Sequence, residues 1–423
     1  MTSNPFKRSP FPLLTIALAL TLTASACGGN AAGGTSTTGG ASQAALTKSE
    51  IKLGLLISKT GSSASSDKDG ADSATAWQQW VNDNGGIAGH PVKLVIMDDK
   101  GDGATSLAAA KTLVEDSGVL ALTSQESNTE AAVSSYLKTQ SIAVVGATGY
   151  SPTIWGALPN YFSTVPAGFP TDVLAQFVSA KAVGATKWTA VSCAEVAACK
   201  ATEPLYAPAA KQQGLTYIGA QSVSSTAPSY TAECLKLIRS GADFIQIAVS
   251  PAAAKRLIAD CKAQGYTGWF GATAGSVNAE LTKVSGLRLA GGLQGFPWWA
   301  DAPAAKQYRD AMARYQPKAD STNPGATSVW AALEMVRKAL ANAGDSPTRQ
   351  DVFNGLYALH DEDLGGLLPQ RMTYTKDKGA PQVLCAWLYK LENGKFSSAA
   401  QSGSSGNSVA SGDLKTDCVT PLG

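Results

Sequence analysis

The sequence predicts an α/β protein of two lobes, and three observations predict it. The chain has 423 residues, 44% of them hydrophobic, more than one ordinary core holds, so at least two lobes are expected. From Ile51 onward, short apolar runs alternate with segments of helical period, the pattern of parallel sheets with crossover helices. Two breaks, STVPAGFPT around Pro166 and Pro170 and GGLQGFPWWADAP before a helix-rich stretch, divide the series, as two lobes joined by more than one crossing require.

Seven apolar runs, each short and bounded by turn residues, read as strands: Ile51 to Ile57, Val92 to Asp99, Val119 to Ser124, Ile142 to Ala147, Trp188 to Ser192, Phe244 to Val249 and Trp269 to Thr273. Between the first two, Ala74, Trp77 and Val81 repeat at helical spacing. Leu107, Ala110 and Val114 do the same between the next two, so each segment buries one stripe on a sheet face. In open α/β sheets ligands gather at the carboxyl ends of strands, and the cleft between two lobes is the default site.

Composition narrows the function. Lys and Arg number 34 against 32 Asp and Glu, for a net charge of +2, which excludes a nucleic-acid binder working through a basic field. Only two histidines occur, His90 and His360, so metal sites and imidazole-dependent triads are poorly supplied. Both histidines read as solvated surface residues.

The first residues place Lys7 and Arg8 before an apolar run from Phe11 to Leu22, then small residues up to Cys27. Residues 1–26 are a secretory signal, since a run of about a dozen residues is too short for a bilayer core that needs roughly 20. Ala24, Ser25 and Ala26 before Cys27 resemble the lipobox of bacterial lipoproteins, although the usual Leu is replaced by Ala24. That implies lipidation of Cys27; ordinary cleavage leaving a free thiol is the alternative. Residues 27–48 then read as a flexible Gly/Ser/Thr tether, and residues 397–423 as a flexible tail pinned by Cys418. Six further cysteines in an exported chain favour three disulfides among 15 connectivities. Sequence proximity pairs Cys193 with Cys199, Cys234 with Cys261 and Cys385 with Cys418; partial pairing with buried thiols is the alternative.

The segment from Trp80 to Val114, WVNDNGGIAGHPVKLVIMDDKGDGATSLAAAKTLV, resembles the N-terminal lobe of the type I periplasmic binding proteins, the branched-chain amino acid and amide (Leu/Ile/Val-binding) family. Gly85, Gly86, Gly89, Asp98 and Asp99 match its pattern, and the glycines suit a left-handed helix stop and a tight turn. The likeness extends to Thr60 and Gly61 after the first strand, IAVVGATG, GADFIQIAV and SVWAALEMVRKAL, and spans nearly everything from Ser49 to Phe396. It implies two Rossmann-like lobes, parallel sheets flanked by helices, joined by a multi-strand hinge. The expected division is 49–167 plus 297–365 for the N-terminal lobe and 168–296 plus 366–396 for the C-terminal lobe. It further implies a solute-binding lipoprotein outside the cell membrane that closes on a small solute and delivers it to the permease subunits of an ABC importer. Such a chain is expected to be a monomer, without catalysis, cofactor or metal.

Carried over by position, the first-lobe contacts are Ser66, Ser127, Ala147, Thr148 and Tyr150. Hydroxyls and free backbone N–H groups at helix N-termini suit a carboxylate; the alternative is that Ser127, Asn128 and Thr129 only cap the following helix. In the second lobe the sequence departs from the family. Amino acid binders of this type place an acidic side chain after the WFGAT strand, where this chain has Thr273. A buried ammonium without a partner costs several kcal/mol, so unless Glu126 or Glu195 swings in, simple branched-chain amino acids are expected to bind weakly. Tyr150, Trp155 and the cluster Phe296, Trp298 and Trp299 offer aromatic walls for an extended or aromatic carboxylate or amide; the alternative for these rings is packing. No GxSxG, P-loop or HExxH motif occurs, and a Glu126–Glu195 pair for glycoside hydrolysis has no other support. A sensory module of the same fold and a purely structural lipoprotein are the remaining readings.

Overall fold

The computed structural model describes residues 46–61, 63–124, 129–146, 151–165, 169–194, 202–272, 277–399, 410–411 and 414–422. Two sheets organise it. The first contains β1 (Ile51–Ile57), β2 (Val92–Asp98), β3 (Ala121–Ser124), β4 (Ala143–Gly146) and β5 (Tyr161–Ser163) in the order β2-β1-β3-β4-β5, all parallel. The apolar runs are buried because a parallel sheet is covered on both faces. Ile51, Leu53, Leu55 and Ile57 of β1 turn to one core and Leu56 to the other. Helix α1 (Ala64–Asp83) buries Ala71, Ala74, Trp77 and Val81, and its glycine-rich exit at Gly85 and Gly86 has positive φ, as the sequence required. Helix α2 (Gly103–Lys111) continues into a π-helical turn at Thr112–Asp116; α3 (Glu130–Leu137) and the short α4 (Pro152–Trp155) complete this series.

The second sheet contains β6 (Lys187–Cys193), β7 (Thr216–Val223), β8 (Phe244–Ala248), β9 (Trp269–Ala272), β10 (Leu289–Leu293), β11 (Cys385–Glu392), β13 (Ala410–Ser411) and β14 (Leu414–Cys418) in the order β13-β14-β11-β10-β9-β8-β6-β7, with β12 (Lys395–Ser398) also paired to β11. Its parallel part is β6, β7, β8, β9 and β10. Helices α5 (Phe169–Ala182), α6 (Glu203–Gln213), α7 (Thr231–Arg239) and α8 (Pro251–Ala263) belong to it. Phe177 of α5 stacks on Trp188 of β6, with ring centroids 4.1 Å apart. Three later helices, α9 (Pro303–Tyr315), α10 (Pro324–Ala339) and α11 (Arg349–Ala358), return to the first lobe. There Glu334 of α10 accepts a hydrogen bond from Trp77 Nε1 of α1 at 2.7 Å and pairs with Arg337.

The chain therefore crosses between lobes three times. Residues 164–168 lead from β5 to α5, residues 294–302 from β10 to α9, and residues 359–384 from α11 into β11 (Cys385–Glu392). The first two crossings leave the carboxyl ends of their strands. Because β11 is antiparallel to β10, with Leu293 opposite Trp387, the third arrives at the same edge. The carboxyl edges of both sheets thus face the hinge.

The remaining strands correct the expectation of a flexible tail. Strand β12 (Lys395–Ser398) hairpins onto β11, and β14 (Leu414–Cys418) pairs with β11 and with β13 (Ala410–Ser411). The reason is alternation: Leu414 and Thr416 are buried and Lys415 is exposed. Cys385 lies directly opposite Cys418 in this pairing and is disulfide-bonded to it, and Cys234 of α7 is bonded to Cys261 of α8. Cys193, which ends β6, is also disulfide-bonded; Cys199 and the lipidation candidate Cys27 lie outside the described residues.

His90 is a second correction. Its ring is fully buried, with Nδ1 2.7 Å from the Ser49 carbonyl and Nε2 2.9 Å from the Gly344 carbonyl. It ties the approach to β1 to the loop between α10 and α11. His360 is exposed, as expected.

Candidate functional site

The site is built at the carboxyl edge of the first sheet, where two aspartates end β2. Asp98 accepts from the backbone N–H groups of Lys59 at 2.9 Å and Thr60 at 3.2 Å, and from the Thr60 hydroxyl at 2.7 Å. Burial alone raises its pKa, but the hydrogen bonds from Thr60, Lys100 and Lys59 outweigh that and hold the carboxyl below its usual range. Asp99 is 0% exposed and reaches three segments at once. It accepts from Ser58 Oγ after β1 at 2.5 Å, from the Gly101 N–H at 2.9 Å and from Thr129 Oγ1 at the start of α3 at 3.2 Å, while Ser106 of α2 stands 3.4 Å away. Thr129 occupies the N-cap position of α3 without capping it, because its hydroxyl is turned to Asp99 and Ser106. The paired acidic residues were visible in the sequence; their role in clasping the loops that follow β1, β2 and β3 was not.

Of the residues chosen from sequence, Ser66 lies in the first turn of α1, partly exposed. Ser127, Ala147, Thr148, Tyr150, Glu195 and Thr273 lie outside the described residues. The strands that lead to them are in place. In sequence Ser127 follows β3, Ala147, Thr148 and Tyr150 follow β4, Glu195 follows β6 and Thr273 follows β9. Trp298 and Trp155 are where sequence and packing part. Trp298 is 6% exposed, edge-on to Trp299 and to Phe396 at centroid distances of 4.7 and 5.2 Å, and its carbonyl accepts from Arg309 at 2.8 Å. Trp155 is buried in the first lobe and donates to Glu130 at 2.7 Å. Both rings serve packing, which large aromatics do best in fully desolvated sites.

The hinge has its own polar joints. Tyr374 of the third crossing donates to the Ser163 carbonyl at 2.6 Å, and Thr171 of α5 donates to the Val383 carbonyl at 3.0 Å. The buried Gln370 amide donates to the Gln382 carbonyl at 3.1 Å and accepts from the Leu384 N–H at 2.8 Å and the Cys385 N–H at 3.3 Å, setting the chain's approach to β11. Gly295 of the second crossing has no room for a side chain: a Cβ there would stand 2.1 Å from Thr327 Oγ1 and 2.8 Å from the Pro324 carbonyl oxygen. A groove of about 410 Å³ between α1 and α9, lined by Trp80, Asn84, Lys306 and Tyr315, lies at the carboxyl-terminal end of α1 on the outer helix layer and is not part of this edge.

One further acid was missed from sequence. Asp172, in the first turn of α5 just after the first crossing, is partly buried, and burial alone pushes its carboxyl up to about 7. An unfolded Asp titrates near 3.9, so the native state holds the extra proton between roughly pH 4 and 7. The stabilisation is full below that window and is lost as pH rises through it. Asp172→Asn is therefore expected to stabilise the chain at pH 8 relative to pH 5, by on the order of 2 kcal/mol. Urea unfolding of both proteins at the two pH values measures this, and an equal difference at both would remove the carboxyl from the account.

Two lobes, each with a run of parallel strands flanked by helices, are joined by three crossings at the carboxyl edges of those strands. The family described as periplasmic binding protein matches residues 50–395, and the chain belongs to it. Solved structures share the fold. A fatty acid ABC transporter substrate-binding protein from Thermomonospora curvata aligns with a TM-score of 0.67 and 21% identity over 86% of this chain and 94% of its own. A branched-chain amino acid ABC transporter protein from Thermus thermophilus with bound valine aligns with a TM-score of 0.70 and 14% identity over 86% and 97%. A branched-chain amino acid transporter substrate-binding protein from Streptococcus pneumoniae in complex with isoleucine aligns at 0.66 and 16% over 82% and 97%. No curated protein sequence matches significantly. The family is one of extracytoplasmic solute-binding proteins.

Proposed function

We propose that this chain is the solute-binding lipoprotein of an ABC importer, which captures a small carboxylate, amide or amino-acid-like solute between its lobes by hinged closure and presents it to the permease. The observation that carries the reading is the clasped carboxyl edge of the first sheet, the edge from which the first crossing also leaves, in a chain of this family. The neighbours described with a fatty acid, valine and isoleucine share one chemical group, a carboxylate. A carboxylate suits the hydroxyl-rich segments after β3 and β4, with Ser127, Thr148 and Tyr150, and Ser66 of α1. Glu195 and Thr273 face it from the second lobe in this reading, and the missing acid at Thr273 weighs against a free α-ammonium. Closure follows as a shift toward the state that the solute binds better.

The signal sequence and Cys27 support anchoring by a lipid on the outer face of the cell membrane. Cys27→Ala is expected to move the exported chain from the membrane fraction to the soluble fraction, because the body has no helix among its described residues long and apolar enough to span a bilayer. Membrane retention of that variant, measured by fractionation of the expressing cells, would contradict the anchor. Cys193–Cys199 is proposed as the third disulfide, stapling the segment after β6.

A further inference from the structure

The root of the hinge in the second lobe holds three polar groups that the protein itself leaves unpaired. Gln176 and Ser179 lie one turn apart on α5, and Tyr389 lies on β11. All three side chains are buried, and neither Gln176 Oε1, Ser179 Oγ nor Tyr389 Oη has a hydrogen-bond partner in the protein. Two of them converge on one point. Gly291 of β10 pairs with Tyr389, and a Cβ on that glycine would stand 2.7 Å from Gln176 Oε1 and 3.2 Å from Tyr389 Oη. At the next residue, Gly292, a Cβ would stand 3.0 Å from Ala175 Cβ and 4.0 Å from Gln176 Nε2, so the glycine pair is what lets α5 lie this close to β10.

The three elements involved are the three that the crossings join. Helix α5 begins where the first crossing ends, β10 leads into the second, and β11 receives the third. An orphaned buried hydroxyl or amide oxygen costs about 1–3 kcal/mol, and native interiors leave few such groups without protein or water. A polar slot with two to four partners is the setting in which an internal water is retained.

We infer that Gln176 Oε1 and Tyr389 Oη share an ordered water beside Gly291, between α5 and the β10–β11 pair. The water donates to Gln176 Oε1 and accepts from Tyr389 Oη. Water-mediated contacts join these elements with little loss of hydrogen-bond energy.

The test uses the full chain and turns on a sign. If water bridges these groups, Tyr389→Phe strands the Gln176 oxygen and lowers the melting temperature by about 2–4 °C. If the slot is dry, removing an orphaned hydroxyl raises it. An experimental density map should show a peak 2.6–3.2 Å from both Tyr389 Oη and Gln176 Oε1, and this readout stands even where a variant fails to fold. Absence of that peak, or a Tyr389→Phe protein more stable than the parent, overturns the inference.

Discussion

Asp99→Ala is expected to cost about 3–5 kcal/mol of stability, because it removes the acceptor for donors on three different segments. Ser58, Gly101 and Thr129 are separated in sequence and meet at this carboxylate, inside a site with 0% exposure. Their hydroxyls and N–H group would be left without a charged acceptor in a place that water does not reach, which is the expensive direction of such a change. The damage should be functional as well. In the proposed reading Ser66 and Ser127, on the segments after β1 and β3, contact the solute, so solute affinity should fall at least tenfold. Asp99→Asn keeps the shape and loses the charge, and should fall between the two. Urea unfolding with solute titration of the three proteins checks this; an alanine variant within 1 kcal/mol of the parent, about 5-fold in the folding equilibrium, would show that the clasp is not what holds this edge.

Gln370→Leu is expected to cost about 3 kcal/mol, with a disproportionate loss of solute binding. The substitution preserves bulk while leaving the Gln382 carbonyl and the N–H groups of Leu384 and Cys385 unpaired, each at about 1–3 kcal/mol and not additive. These groups define how the third crossing enters β11, two residues before Trp387 pairs with Leu293 at the end of β10. A hinge whose crossings are no longer held in register closes less completely on its solute. Equal stability of the leucine variant in a denaturant titration, with unchanged affinity, would contradict the role assigned to this amide.

The physics of these two sites explains what could be read from the sequence and what could not. Strand β1 was legible to the residue because Ile51–Ile57 is a continuous apolar run buried on both faces. Strand β7 was not, since Thr216–Val223 is mostly half-exposed and interrupted by Gly219, and β10 was hidden because LAGGL carries two glycines where α5 comes close. Strand β14 sits beyond a Ser- and Gly-rich stretch whose composition masked the alternation of Leu414, Lys415 and Thr416. The same division holds at the site. Hydroxyl-bearing segments after strands are a local pattern, so their positions could be named from order alone. Asp99 depends on Ser58 and Thr129, 41 and 30 residues away, meeting in space, Gln370 on a loop folding back on itself and Asp172 on burial, and Trp298 looked like a wall only until Trp299 and Phe396 were seen against it.

The central claim is capture of a carboxylate-bearing solute without a partner for an α-ammonium. Its most direct test is a thermal-shift panel on the full chain with aliphatic carboxylates of graded length, aromatic carboxylates, the matched amides, leucine and valine. A ligand that binds only the native state at 100 times its Kd stabilises it by about 2.7 kcal/mol, a shift well within reach of the method. The expected result is a concentration-dependent rise with one or more carboxylates or amides and little response to leucine or valine. The strongest response from leucine or valine would contradict the selectivity argued from Thr273, and no response across the whole panel would contradict solute capture itself.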